Sequence, residues 1–293
     1  MKPAPFEYFA PDSLEAALDL KTQYGDEAKA LAGGQSLIPA MNFRVVQPSI
    51  LIDLNRINDM RYIRINVSLR IGAMTVQSAA EHDPLVALHA PLLHEAIPNI
   101  AHSQIRNRGT IGGSIAHADP ASELPVICLA LNARMQARNK SGERWIDSKD
   151  FFSGLFSTAL QPDELLVEIE FPKMAPNTGY AFMEIARRHG DYAMAGLAAL
   201  LRLDADGNCK QARLVYLNVG DGPVDATKAA ASLVGKQPNE AAFKEVGQIA
   251  SQQDMSPFGN LHASVEYQRH LSAVLTERAL VKAFERARYS QVP

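Results

Sequence analysis

Apolar and polar positions along the chain switch between a helical and a strand period, and the switches mark out the elements. Asp12-Ser13-Leu14-Glu15 has capping-box spacing and opens an amphipathic segment, apolar at Leu14, Ala17 and Leu18, that stops at Gly25. A short strand is predicted over Ala28–Leu31, running directly into Gly33-Gly34-Gln35-Ser36. Positions 36–46 read as a helical turn interrupted by Pro39, and 49–54 as a buried strand bounded by Pro48 and Asn55. Beyond this compact α/β lobe the pattern predicts a strand at Leu69–Gly72, Thr75 as the N-cap of a helix over 76–81, and an apolar helix over 85–97. A polar, Gly-rich turn at 105–114 leads to a helix beginning near Pro120. Strands follow at Arg134–Asn139, 144–146 and Leu165–Phe171.

Pro172, Pro176 and Asn177 punctuate a boundary, after which strands are predicted over 179–187, 194–203 and 212–219, with Asp206-Gly207 turning between the last two. Helices over 226–233, Glu240–Ile249 and 264–288 complete a third, α+β lobe. The expected division is 1–57, 58–175 and 176–293, with no internal repeat.

Length and composition narrow the classes. A chain of 293 residues, 47% hydrophobic and 21% charged, can bury two or three packed lobes. A net charge of −3 gives no general pull toward nucleic acid or an anionic membrane. The apolar runs at 125–131 and 193–201 fall short of the roughly 20 residues that span a bilayer, and the first six residues lack an apolar stretch of the secretory kind, so a cytoplasmic location is expected. Two cysteines, Cys128 and Cys209, are too few for a four-thiolate iron–sulfur cluster or zinc site, and neither looks catalytic.

The most informative feature is a pair of Gly-Gly corners, Ala32-Gly33-Gly34-Gln35-Ser36 and Thr110-Ile111-Gly112-Gly113-Ser114. Adjacent glycines permit positive φ and remove the β-carbons, so successive N–H groups can converge on a phosphate with a hydroxyl beside them. Two such corners suit a diphosphate; two ordinary strand-to-helix turns are the other reading. Neither corner has the Gly-x-Gly-x-x-Gly spacing of a dinucleotide-binding Rossmann unit, and no Walker loop is present. His102 and His117 flank the second corner without convergent acids or cysteines, so packing or hydrogen bonding suits them better than a metal or acid–base role. Asp204-Ala205-Asp206-Gly207 begins like a calcium loop, but Val215 stands where its twelfth-position Glu would be.

Three stretches together carry a family resemblance: 31–39; 106–114 with 116–125; and Arg187-Arg188-His189-Gly190-Asp191-Tyr192-Ala193-Met194-Ala195. In this order, over nearly the whole chain, they resemble the FAD-binding medium subunits of molybdenum hydroxylases, the relatives of xanthine dehydrogenase, carbon monoxide dehydrogenase and quinoline oxidoreductase. The resemblance implies an α+β architecture: a two-lobed FAD-binding fold of the p-cresol methylhydroxylase and vanillyl-alcohol oxidase type, followed by a C-terminal α+β domain with a three-stranded sheet and helices. It implies that Leu31, Ala32, Gly33, Gly34, Gln35, Ser36, Leu37 and Ile38, with Thr110, Ile111, Gly112, Gly113 and Ser114, hold the FAD diphosphate. By the same resemblance Ile100, Ala101 and Leu166 line the flavin and adenine, Asp119 or Glu123 bonds ribityl or ribose hydroxyls, and Tyr192 lies against the isoalloxazine. Arg187 and Arg188 would sit near the pyrimidine edge. Where some family members have a lysine shortly after the aromatic at Phe182, this chain has Met183 and Glu184, so no positive charge is assumed there.

No residue is assigned a catalytic or metal-binding role. The implied activity is flavoprotein oxidoreduction: electrons from the iron–sulfur clusters of a small subunit pass through FAD to an external acceptor, while a molybdopterin-binding large subunit oxidises the substrate. The implied assembly is a heterohexamer of two three-subunit units, with molybdopterin and [2Fe-2S] centres only on the partners. The competing readings are a stand-alone FAD-dependent oxidoreductase, which would need a base or covalent flavin tether that no His or Cys is placed to provide, and a colourless binding module.

Overall fold

The structure is a computed structural model and describes residues 2–289. Strand β1 (Glu7–Phe9), helix α1 (Leu14–Tyr24), β2 (Ala28–Leu31), α2 (Leu37–Asn42) and β3 (Ile50–Asp53) form the N-terminal unit. Its three strands are parallel in the order β1-β3-β2, with Glu7 and Ala28 both in register with Ile50. The α1 cap is Ser13, whose hydroxyl accepts from the Ala16 amide at 3.2 Å, so the helix starts one residue later than a box opened by Asp12. Gly25, at φ 49°, ends it. Pro39 does not interrupt α2, because it occupies the first turn, where a missing N–H costs no intrahelical bond.

The second unit is an antiparallel sheet crossed by short helices. Strands β4 (Ile63–Ile65) and β5 (Leu69–Gly72) are followed by α3 (Gln77–His82), α4 (Pro84–His89), α5 (Pro91–Ala96), α6 (Ser103–Arg106), α7 (Ile111–His117) and α8 (Glu123–Ala130). Then come β6 (Arg134–Asn139), β7 (Gly142–Asp147), α9 (Ser148–Phe151), the small β8 (Phe152–Gly154) and β9 (Ser157–Thr158), and β10 (Leu165–Phe171). The sheet order is β4-β5-β10-β6-β7. All seven residues of the central β10 are buried. Its two acids are neutralised in place: Glu168 meets Arg64 at 2.6 Å and Arg70 at 3.3 Å, and Glu170 meets Arg134 at 2.7 Å and Arg70 at 2.9 Å.

Two helix predictions change here. Thr75 does not cap α3; its hydroxyl bonds both the amide and the carbonyl of Tyr62, at 3.1 and 3.0 Å, and the cap position falls to Val76. The apolar stretch 85–97 is two helices, because Pro91 has no N–H to continue α4 and begins α5 instead.

The C-terminal unit is an antiparallel meander of β11 (Thr178–Ala186), β12 (Ala193–Leu203) and β13 (Cys209–Leu217), edged by the two-residue β14 (Val224–Asp225). The sheet is thus four-stranded rather than three; β14 is too short for any periodicity to announce it. Helices α10 (Thr227–Leu233), α11 (Glu240–Ile249) and the long α12 (Val265–Tyr289) cover one face. At Gly179 the helix backbone comes so close that a β-carbon would lie 1.7 Å from the Ala283 carbonyl oxygen. The other face, through Phe182, Ala198, Val215 and Leu217, joins the same hydrophobic core as the first two units. All eight residues of α8 are buried there. Among the described residues no helix is long and apolar enough to cross a membrane.

Candidate cofactor site at two glycine corners

The two Gly-Gly corners meet. A β-carbon on Gly33 would lie 2.3 Å from the Arg108 carbonyl oxygen and 2.7 Å from the Gly109 α-carbon, and one on Gly113 would lie 3.3 Å from the Ala32 β-carbon. The contact is backbone against backbone, and only glycine allows it at Gly33. Gly112 is required for a different approach, since its β-carbon would be 2.4 Å from that of Ala73.

The corners differ in what their amides do. At the first, between β2 and α2, Gly34 is left-handed at φ 72°, and among the described residues the amides of Gly33, Gly34, Gln35, Ser36 and Leu37 donate to no protein acceptor. Five successive free N–H groups at a glycine turn and helix start make an anion-binding nest. The corner is braced from behind by Asn55, whose side-chain amide donates to the Ala32 carbonyl at 2.8 Å and to Asp53 at 2.7 Å. At the second corner the amides are already engaged: Ile111 donates to Thr75, Gly112 to Ala73, Ser114 to the Thr110 carbonyl, and Gly113 to the Thr110 hydroxyl at 3.0 Å. Its glycines serve close packing and its φ angles are ordinary, so the expected convergence of free amides holds for one corner only. The Ser114 hydroxyl is paired with that of Ser122 at 2.9 Å.

Strained backbone flanks the corners. Ala101 at φ 44° and Ala118 at φ 51° are left-handed without being glycine, a costly conformation that persists where its surroundings impose it. The restraint on Ala101 is Arg106, nine-tenths buried, whose guanidinium donates to the carbonyls of Ile100 at 3.0 Å and Ala101 at 3.3 Å while pairing with Glu81. Ile100 is buried beside it, and Leu166 is buried in β10 just before a bulge. Gly190, at φ 89°, packs its α-carbon over His102, whose ring would stand 2.2 Å from a β-carbon there. That contact brings the 187–192 turn to the segment leading into the second corner. Arg187 is exposed and pairs with Asp191; Arg188 is exposed.

Three acids gather on this side. Asp119 is half-buried and caps the Ala121 amide at 2.9 Å. Glu123, only 8% exposed in the first turn of α8, has its carboxyl pushed up to about 7 by burial and then by the charge of Asp119, against the pull of its own backbone amide. Glu184 on β11 is pushed up to about 8 by burial and then by Glu123, and its Oε2 is closed to solvent with no hydrogen-bond partner. Tyr192 is 71% exposed, yet its phenol is held above the ordinary range by desolvation, Asp119 and Glu123, so its hydroxyl end lies within electrostatic reach of both acids. A buried carboxyl with an orphaned oxygen beside two more acids suits a ligand rich in hydroxyl donors. A sugar or ribityl chain has that chemistry, and the nest has the chemistry of a diphosphate; together the residues fit FAD.

His117 packs against Phe156 with the rings tilted at 42° and their centroids 5.1 Å apart, and burial lowers its pKa against the pull of Asp119. Cys128 and Cys209 are free and buried, the latter thiol pushed up to about 11 by burial. Sequence reasoning passed over Asn55, Arg106 and Glu184 as site residues. The first two act through bonds to distant carbonyls that no local pattern records; Glu184 carried one signal, an acid on the sheet face that also presents Phe182. Cavities of about 200 and 430 Å3 lie along the 172–178 linker, and none of their lining residues comes from either corner.

Comparison with known proteins gives this geometry its family. Residues 4–174 match the FAD binding domain in molybdopterin dehydrogenase, and residues 180–283 match the CO dehydrogenase flavoprotein C-terminal domain. The chain is 41% identical to the 6-hydroxypseudooxynicotine dehydrogenase complex subunit alpha of Paenarthrobacter nicotinovorans, over 98% of this chain and 97% of that one. It is 38% identical to the carbon monoxide dehydrogenase medium chain of Hydrogenophaga pseudoflava, over 98% and 99%. Among solved structures, carbon monoxide dehydrogenase from Hydrogenophaga pseudoflava superposes with a TM-score of 0.93 at 38% identity, covering 98% of this chain and 99% of that one. Quinoline 2-oxidoreductase from Pseudomonas putida 86 does so with a TM-score of 0.92 at 35% identity, with the same coverage. The chain belongs to the FAD-binding medium subunits of the molybdenum hydroxylases, the family of carbon monoxide dehydrogenase and xanthine dehydrogenase.

Proposed function

We propose that this subunit relays electrons, taking them from the iron–sulfur clusters of a small partner subunit and passing them to an external acceptor, while a molybdopterin-binding large subunit oxidises the substrate. FAD supplies the redox chemistry; the chain's own groups bind it, orient it and shape its surroundings. The observation that carries the reading is the row of five free amides at Gly33–Leu37 set against the second corner. In this reading those amides, with Leu31, Ala32 and Ile38 around them, hold the diphosphate, and Thr110–Ser114 forms the wall that closes on it. Asp119, Glu123 and Glu184 accept bonds from the polyol hydroxyls, Ile100, Ala101 and Leu166 supply apolar lining, and Tyr192 covers the ring. The units 1–57 and 58–175 enclose the cofactor, and 176–293 contributes its outer wall. The assembly is a heterohexamer of two three-subunit units.

Electron relay needs tight, oriented binding of the flavin rather than a proton-abstracting residue. The test is anaerobic. The FAD-loaded chain alone, offered candidate substrates, should keep its visible flavin absorbance and should bleach only when the reduced small and large subunits are added. Bleaching of the isolated chain by a substrate would instead make it a self-sufficient oxidoreductase.

A further inference from the structure

A second polar site lies beside the 172–178 linker. The strand register sets Thr178, Arg202 and Gln211 in one cross-strand row and Tyr180, Leu200 and Arg213 in the next row of the same face. Tyr180 and Leu200 still pack against the shared core, and the segment Pro172–Ala175 together with Ala130, Leu131 and Asn132, at the end of α8, forms the facing wall. Between them is a cleft of about 200 Å3.

Its charge is one-sided. Lys173, Arg202 and Arg213 line the cleft and no acid does, although the chain as a whole is net −3. Arg213 is answered from outside by Asp225 at 3.0 Å and is held by the Asn132 side chain. Lys173 and Arg202 have no ion pair among the described residues, whereas the arginines on the neighbouring sheet, Arg64, Arg70, Arg134 and Arg144, are each matched to a carboxylate. Two donors in the cleft wall, Thr178 Oγ1 and Arg213 Nε, are closed to solvent and bonded to nothing in the protein. Unpaired buried donors are costly, and like charges in a concave, partly desolvated wall raise a local field that draws anions.

We propose that this interdomain cleft binds a small oxyanion, a phosphate or a short carboxylate, between Lys173 on the linker and Arg202 and Arg213 on the sheet. The planar guanidinium fork matches either group. The volume is below the roughly 300–1,000 Å3 of pockets that enclose drug-sized ligands, so a dinucleotide is too large and a single phosphate or dicarboxylate suits it. Such a ligand ties the linker at Lys173 to the sheet that follows it, and binding therefore raises thermal stability.

The experiment is thermal melting of the FAD-loaded full chain against inorganic phosphate and, separately, malonate, at constant ionic strength maintained with chloride. A saturable rise in Tm is expected with at least one of the two, and which one responds separates a phosphate from a carboxylate site. Arg202→Gln and the exposed Lys173→Gln should each weaken the apparent affinity by about tenfold or more, with FAD absorbance retained as the sign of a folded chain. Lys210→Gln, outside the cleft, should leave it unchanged. A rise that never saturates, one that is the same in Lys173→Gln and Arg202→Gln, or no rise with either anion overturns the proposal.

Discussion

The carbonyl oxygen of Arg108 lies 2.3 Å from the place a β-carbon on Gly33 would take, so the two glycine corners close on each other through main chain alone. No rearrangement of a flexible side chain can make room there. Gly33→Ala is expected to lower stability by about 1–3 kcal/mol through overpacking and to reduce FAD retention, as the corners must separate. Gly112→Ala meets the Ala73 backbone in the same way and should do likewise. Urea unfolding with flavin content measured on the same samples checks both effects. Gly222→Ala, where a β-carbon meets nothing within 4 Å, is the control.

The raised carboxyls give a pH dependence of definite sign. Burial pushes the carboxyls of Glu123 and Glu184 up to about 7 and about 8 in the folded chain, above their unfolded values. Over that window these two carboxyls hold more protons in the folded state than in the unfolded one, so their contribution is fully present below the ordinary glutamate range and is lost as pH rises toward 8, outweighing the opposite contribution of His117, whose lowered pKa acts only at the acidic end. Each such proton gives a slope of at most about 1.4 kcal/mol per pH unit. The cofactor-free chain should therefore soften from about pH 5 to 8, and Glu184→Gln should flatten the upper part of the curve. Tm measured against pH, for the parent and the variant, decides it; a parent curve that rises with pH would contradict the assignment.

Glu95 joins the units. From α5 its carboxylate accepts the Phe182 amide of β11 at 2.9 Å, Lys282 of α12 at 3.0 Å and Arg286 at 2.7 Å. Burial opposes its charge, but these three donors hold the carboxyl below its usual range. Glu95→Ala removes the carboxylate that Lys282, Arg286 and a β11 amide share, while Arg286 keeps the Tyr180 carbonyl at 2.7 Å, and a loss of about 1–3 kcal/mol is expected. Limited proteolysis should then cut faster within 172–178, which differential scanning calorimetry and mass spectrometry together would register.

Elements bounded by turn residues or carrying a clear period were legible in the sequence: β2, β5, β6, β10 and α11 fall where their patterns place them. The three-residue β1 and β4 were not, since an edge strand of that length spans barely one alternation and takes its form from its partner. The Gly-Gly corners stood out, but their unlike roles did not. Whether a glycine serves a free amide or a close contact depends on Ala73 and Arg108, which only folding brings near. Glu184 shows the same limit: a lone acid on a strand reads as solvated until folding buries it within reach of Glu123.

The central claim is that the free amides at Gly33–Leu37 grip a diphosphate, and titration of the cofactor-free chain with FAD, FMN and riboflavin tests it most directly. FAD should bind far more tightly than riboflavin or FMN, neither of which carries the diphosphate, and Gly34→Ala, which disfavours the φ of 72° that forms the nest, should weaken FAD while leaving riboflavin unchanged. Equal affinity for FAD and riboflavin, or a Gly34→Ala chain that binds FAD as the parent does, would contradict it.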